Sequence, residues 1–261
     1  MFIAHNAAQL YTVEFGSGPH TILAHGGWTG SWELWAGPFT LLSKSWRTVA
    51  YDHRGTGATL APLDSISIEN MVADVFAVMD QMDIQTCVLT AESAGGIVAA
   101  TAVLQQPQRF DGLVLVDALI HNEDGESDAA FIHGLKTDFV QTVGRFADAC
   151  VPETEPHSSE VRSWGRKILT RASPESSVKL LEATHGIDLR PKLAQIRIPT
   201  LVIHGDHDSV VPLRDSENIV GSVPDSCLRL IQGAGHVPTM TRPMEVAQEI
   251  DRYFSQHWRQ V

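Results

Sequence analysis

Compact apolar runs alternate with amphipathic stretches along most of this chain, and the alternation predicts strands separated by helices. Gln9–Phe15 reads as a short strand that runs into the turn GSGP. His20–Ala24 (HTILA), Trp46–Tyr51 (WRTVAY), Thr86–Thr90 and Gly112–Val116 (GLVLV) are short, apolar and rich in β-branched residues, the pattern of strands buried on both faces. IPTLVIHG at 198–205 and CLRLIQG at 227–233 repeat it late in the chain. Between these runs, Met71, Val72, Val75, Val78, Met79 and Met82 recur at helical spacing behind Ser67, a helix-capping residue. A second helix is expected from Gly95 to Gln105, ended by Pro107, and an amphipathic one from Glu245 to His257.

The rhythm changes between His121 and Leu189, where Glu, Asp, Ser and His are more frequent. Phe131, Leu135, Phe139 and Val143 there keep only a helical period. Strands alternating with helices imply an α/β fold with a mostly parallel, doubly wound sheet. The expected organisation is one core domain, 1–118 and 191–261, interrupted by a helical cap insertion at 119–190.

Composition narrows the function classes. The 261 residues carry a net charge of −12, which argues against nucleic-acid binding, since that needs clustered Lys and Arg. No apolar run is long enough to span a bilayer, and no secretory leader is visible, so a cytoplasmic setting is expected. Cys87, Cys150 and Cys227 are widely spaced and odd in number, which suits a reducing compartment. A homodimer is left open.

In open α/β sheets reactive groups collect at the carboxyl ends of the strands. The segments that fall there are HGGW at 25–28, DHRGTG at 52–57, AESAG at 91–95, Val116–Asp117, GDHD at 205–208 and GAGH at 233–236. Ser93 stands at a strand-to-helix turn among small residues, which lets the backbone bend sharply and exposes the side chain. His236 follows a late strand and precedes the last helix, where it can serve as a base. Asp208, Asp117 and Asp206 each end or follow a strand and can orient an imidazole.

These motifs, in this order over nearly the whole chain, resemble the α/β-hydrolase superfamily, and within it the small-molecule esterases and enol-lactonases. AESAG matches the family's G-x-S-x-G turn except that Ala91 replaces the first glycine. The resemblance implies Ser93 as nucleophile, His236 as base and Asp208 as acid, with Asp117 and then Asp206 as alternatives. It also implies an oxyanion hole formed by the backbone N–H groups of Ala94 and Gly27, with Trp28 as the alternative to Gly27. Trp28, Trp32 and Trp35 would share one side of a helix; Trp28 is expected in the substrate pocket and the others in the core.

The function implied is hydrolysis of a small ester or lactone through an acyl-enzyme on Ser93, without a cofactor. Carbon–carbon bond hydrolases, cofactor-free haloperoxidases or perhydrolases and cofactor-free dioxygenases use a similar constellation, and a small-ligand receptor could be built on the same scaffold. His204, Asp206 and His207 form an H-x-D-H pattern, but Val202 stands where a metallohydrolase signature needs another histidine, so no metal site is expected.

Overall fold

The computed structural model describes residues 1–122 and 128–258. Its strands are β1 (Phe2–His5), β2 (Ala8–Phe15), β3 (His20–His25), β4 (Trp46–Tyr51), β5 (Cys87–Glu92), β6 (Phe110–Val116), β7 (His121–Asn122), β8 (Ile187–Asp188), β9 (Thr200–Gly205) and β10 (Ser226–Ile231). Eight of them form one sheet in the order β1-β2-β4-β3-β5-β6-β9-β10. β1, β2 and β4 pair antiparallel, and every pairing from β4 through β3 to β10 is parallel.

The helices are α1 (Ala36–Leu42), α2 (Ile68–Gln81), α3 (Gly95–Gln105), α4 (Ala129–Thr137), α5 (Phe139–Cys150), α6 (Ser158–Leu169), α7 (Pro174–Glu182), α8 (Leu213–Ser222), α9 (Pro238–Thr241) and α10 (Pro243–Trp258). Alternate residues of each central strand enter different cores, because successive side chains point to opposite faces. Leu23, Leu89, Leu113 and Val202 pack with Val75, Val78 and Ile97 of α2 and α3. Ile22, Val88, Val114 and Ile203 pack with Phe39, Ile250 and Phe254 of α1 and α10. With both faces covered, β5 and β9 are buried at every position, hence their mostly apolar sequence without polar alternation. Ser67 caps α2, its hydroxyl accepting the Asn70 N–H at 3.2 Å.

The helical period of Phe131 to Val143 belongs to two helices, α4 and α5, which meet at Asp138. Residues 123–127 of the expected insertion lie outside the described residues. The three tryptophans do not share a helix. A short 3₁₀ turn covers only Trp32–Trp35. Trp35 is in the core, while Trp28 lies ahead of the turn and bonds through Nε1 to the Ser177 carbonyl of α7 at 2.8 Å.

The loop after β4 is anchored by a buried ion pair. Arg54 Nε and Nη2 donate to the two Asp74 oxygens at 2.7 and 2.8 Å, and both side chains are fully buried. The remaining guanidinium donors reach the carbonyls of His5 and Asn6 and the Ser65 hydroxyl. Removing one partner leaves a buried charge uncompensated. Asp74→Ala is therefore expected to destabilise the fold by about 3–5 kcal/mol in urea titration; a loss under about 1 kcal/mol, the range of surface pairs, would contradict this account.

Candidate active site

β5 ends in Glu92 and α3 begins at Gly95, so Ser93 and Ala94 make the whole turn. Ser93 takes φ 50°, a left-handed conformation that costs a non-glycine residue of order 1–3 kcal/mol and persists only when surrounding bonds fix it. Here its N–H donates to the Val116 carbonyl at 3.0 Å, and its carbonyl accepts from Gly96 and Leu119 at 2.9 and 2.8 Å. Space explains the glycine that follows: a Cβ on Gly95 would stand 2.4 Å from the Gly26 carbonyl oxygen. Ala91 causes no conflict, because it is an ordinary buried strand residue paired with Leu115 and His25.

Ser93, His236 and Asp208, far apart in sequence, form one hydrogen-bonded chain. His236 Nε2 is 2.9 Å from Ser93 Oγ, and its Nδ1 is 2.8 Å from Asp208 Oδ2. A carboxylate only accepts, so Nδ1 carries the ring proton and Nε2 is free to accept the serine proton. Asp208 Oδ1 accepts the N–H groups of Val210 and Val211 at 2.7 and 3.1 Å. Burial works against its charge, but His236 and these two N–H groups outweigh it and hold the carboxyl below its ordinary value.

The other two acids do different work. Asp117 lies directly behind Asp208, with one oxygen accepting the Gly205 N–H at 2.9 Å. Burial, and then the charge of Asp208, push its pKa well up and so disfavour its charged form beside the Asp208 carboxylate. Asp206 accepts the Gly233 N–H at 2.6 Å and stays out of the chain. His204, Asp206 and His207 do not converge. His204 Nδ1 bonds the Ser216 hydroxyl at 2.9 Å, and His207 is exposed. Among the described residues the only compact set of potential metal ligands is Asp117, Asp208 and His236; both ring nitrogens of His236 and both oxygens of Asp208 are engaged as above.

The loop after β3 lies over the serine turn. A Cβ at Gly27 would stand 3.1 Å from Ser93 Cβ, so this position brings backbone against Ser93. His53 Nε2 is 3.0 Å from the Gly27 carbonyl, and His25 Nδ1 is 2.7 Å from the Tyr51 hydroxyl. The two rings stack at 4.8 Å, and burial above all keeps both imidazoles neutral. His25 and His53 thus brace the loop without facing the cavity over Ser93.

That cavity holds about 520 Å³ of empty space. Trp28, Leu34, Phe146, Val161, Leu169 and Met240 supply much of its apolar wall. Ser93, His236, Thr29 and Glu92 are its polar residues.

Sequence reasoning missed how the helical segment grips the catalytic loops. The His236 N–H donates to the Cys150 carbonyl at 2.8 Å. The Gly235 N–H donates to buried Glu155 at 2.8 Å, and the other Glu155 oxygen accepts from Arg242 at 2.8 Å. Ser209, next to Asp208, donates to the Ala149 carbonyl at 2.9 Å. Nothing periodic marks VPETEP in the sequence, so Glu155 carried no signal.

Glu92, next to Ser93, is 3% exposed and accepts a hydrogen bond from Thr239 Oγ1 at 2.9 Å. Burial lifts its pKa to about 7, against the smaller opposing effects of Thr239, His236 and the Gly27 N–H. The folded protein therefore holds this proton at pH values where the unfolded chain has lost it, and stability falls as pH rises from the ordinary value of 4.5 to about 7. Glu92→Gln lacks this titration. Relative to wild type it is expected to gain on the order of 3 kcal/mol across that window, read by denaturation at pH 4.5 and 8. A difference independent of pH would contradict the assignment.

Residues 20–243 match the family model described as alpha/beta hydrolase fold, and the chain belongs to that family of hydrolases. A relative from Pseudomonas syringae named as a carbamate hydrolase is 26% identical over 258 residues, covering 90% of this chain and 93% of its own. A pimeloyl-[acyl-carrier protein] methyl ester esterase from Nitrosomonas europaea is 30% identical, covering 94% and 99%. The crystal structure of an enol-lactonase from Burkholderia xenovorans superposes with a TM-score of 0.90 at 20% identity over 98% of this chain and all of that one, a likeness of fold. No helix among the described residues is long and apolar enough to cross a membrane.

Proposed function

We propose that this hydrolase cleaves a small carboxylic ester or lactone through an acyl-enzyme on Ser93. The observation that carries the reading is the continuous Ser93–His236–Asp208 chain at the floor of an apolar cavity. Ser93 Oγ attacks the carbonyl carbon while His236 Nε2 takes its proton. The oxyanion is met by the Ala94 N–H, at the start of α3, and by an N–H of the facing loop, either Gly27, which must then turn from the Glu92 carboxyl, or Trp28. Collapse of the intermediate expels the alkoxide, which takes the proton from His236; in a lactone it stays tethered. Water, deprotonated by His236, then attacks the acyl carbon, releases the acid and restores Ser93.

Asp208 orients the ring and stabilises the imidazolium in both halves of the cycle. Trp28 lines the wall above the nucleophile, and the 119–190 segment acts as the cap that closes the cavity and determines its shape. Three cysteines without disulfides suit a cytoplasmic enzyme.

The test is turnover on a panel of uncharged short-chain esters and lactones. The reading expects many cycles per Ser93 with at least one of them. Stoichiometric binding without product from any member would favour the receptor alternative instead.

A further inference from the structure

The cavity over Ser93 has an uneven charge pattern. Among its described lining residues none is Lys or Arg, and the only ionisable side chains besides Ser93 and the Cys150 thiol are His236 and Glu92. Glu92 is the immediate neighbour of the nucleophile, and its side chain faces the oxyanion loop. A Cβ on Gly27 would lie 3.6 Å from Glu92 Cγ and 3.1 Å from Ser93 Cβ. Thr239 of α9 fixes the carboxyl at 2.9 Å, so it cannot swing away to solvent. The cavity thus has a buried carboxyl group just behind its reacting end, an apolar wall, and no lining side chain to neutralise an incoming anion.

Building on the serine-hydrolase reading of Ser93, we propose that Glu92 makes this site selective for uncharged acyl groups, excluding substrates that carry a carboxylate near the scissile bond. A carboxylate entering the cavity loses its hydration without gaining a cationic partner. Once Glu92 is ionised, it also meets a like charge.

The groups that set the charge of Glu92 are identifiable. His236 and the Gly27 N–H favour ionisation, as does Thr239, while burial opposes it more strongly. Asp117 and Cys150 share its surroundings, and burial raises the pKa of each, which disfavours a charge on either. Exclusion of anions therefore sharpens as pH rises through about 7, where Glu92 loses its proton. One consequence is chemical: a short symmetric diester is cleaved once, because its product is the anionic monoester that the site rejects.

The experiment compares two fluorophosphonates of equal chain length, one ending in a methyl ester and the other in the free carboxylate. Each is followed by intact mass as it phosphonylates Ser93. At pH 8.5 wild type is expected to react about a hundredfold faster with the neutral probe, the effect of like charges about 6 Å apart at intermediate dielectric. Glu92→Gln removes that charge and brings the two rates close together, narrowing the ratio by most of the hundredfold, and lowering the pH to 6 narrows it similarly in wild type. Because both probes use the same nucleophile, base and oxyanion donors, the ratio cancels changes in those groups. Should Glu92→Gln fold poorly, the wild-type pH dependence gives the same test. Equal rates for the two probes would overturn the inference, as would a ratio unmoved by both pH and Glu92→Gln. If neither probe labels Ser93, the hydrolase reading itself fails and takes the selectivity with it.

Discussion

His236→Ala is expected to lower kcat/KM on any accepted ester by about a million-fold, some 8 kcal/mol of barrier, with the urea midpoint nearly unchanged. The size follows from the bonding. His236 Nε2 is the only base within hydrogen-bond distance of Ser93 Oγ among the described residues, at 2.9 Å. Without it the hydroxyl stays protonated and the leaving group has no proton donor. The fold should survive because the residue's structural bond is backbone, from its N–H to the Cys150 carbonyl, and alanine keeps it. Steady-state kinetics beside a denaturation curve separates the two effects. A variant with a tenth of normal activity would mean that another group activates the serine.

Asp208→Asn is the second large effect, about 10⁴-fold in kcat with KM little changed. The amide would present an N–H₂ or an uncharged oxygen to His236 Nδ1, and either choice loses the charge that stabilises the imidazolium. Asp117→Asn is the control. Burial and the neighbouring Asp208 charge disfavour a charge on Asp117, and an amide can still accept the Gly205 N–H. Its expected loss is under about tenfold, since the amide keeps that bond and Asp117 does not touch His236. If the two variants exchanged ranks, Asp117 would be the charged partner of the imidazole. The contrast rests on placement: Asp208 faces His236 and two backbone N–H groups, whereas Asp117 faces a carboxylate.

Much of this arrangement was readable from the sequence, and the reason is physical. β5 and β9 are buried on both faces, so their runs are mostly apolar without polar alternation and mark the strands that carry Ser93 and Asp208. The turn that exposes Ser93 admits only small residues, and that demand is written in ESAGG. α1 was not read because Gly37 and Pro38 break its pattern. α8 carries no clear apolar stripe, because of its three buried positions Asp215, Ser216 and Ile219 only one is apolar.

Interactions that depend on tertiary approach left no trace. Glu155 looks like a surface acid in VPETEP, and only the fold brings it 2.8 Å from the Gly235 N–H. Choosing among Asp117, Asp206 and Asp208 likewise required knowing which carboxylate faces the ring. Glu92 reads as a tolerated neighbour of the nucleophile until Thr239, 147 positions away in sequence, is seen to hold it.

The most direct measurement is reaction of the folded protein with an uncharged fluorophosphonate, read by intact mass and peptide mapping. It needs no knowledge of the substrate. The account predicts a single adduct on Ser93, absent from Ser93→Ala and strongly slowed in His236→Ala. A folded protein that takes up no label, or takes it elsewhere, would contradict the claim that Ser93, His236 and Asp208 form a working nucleophilic site.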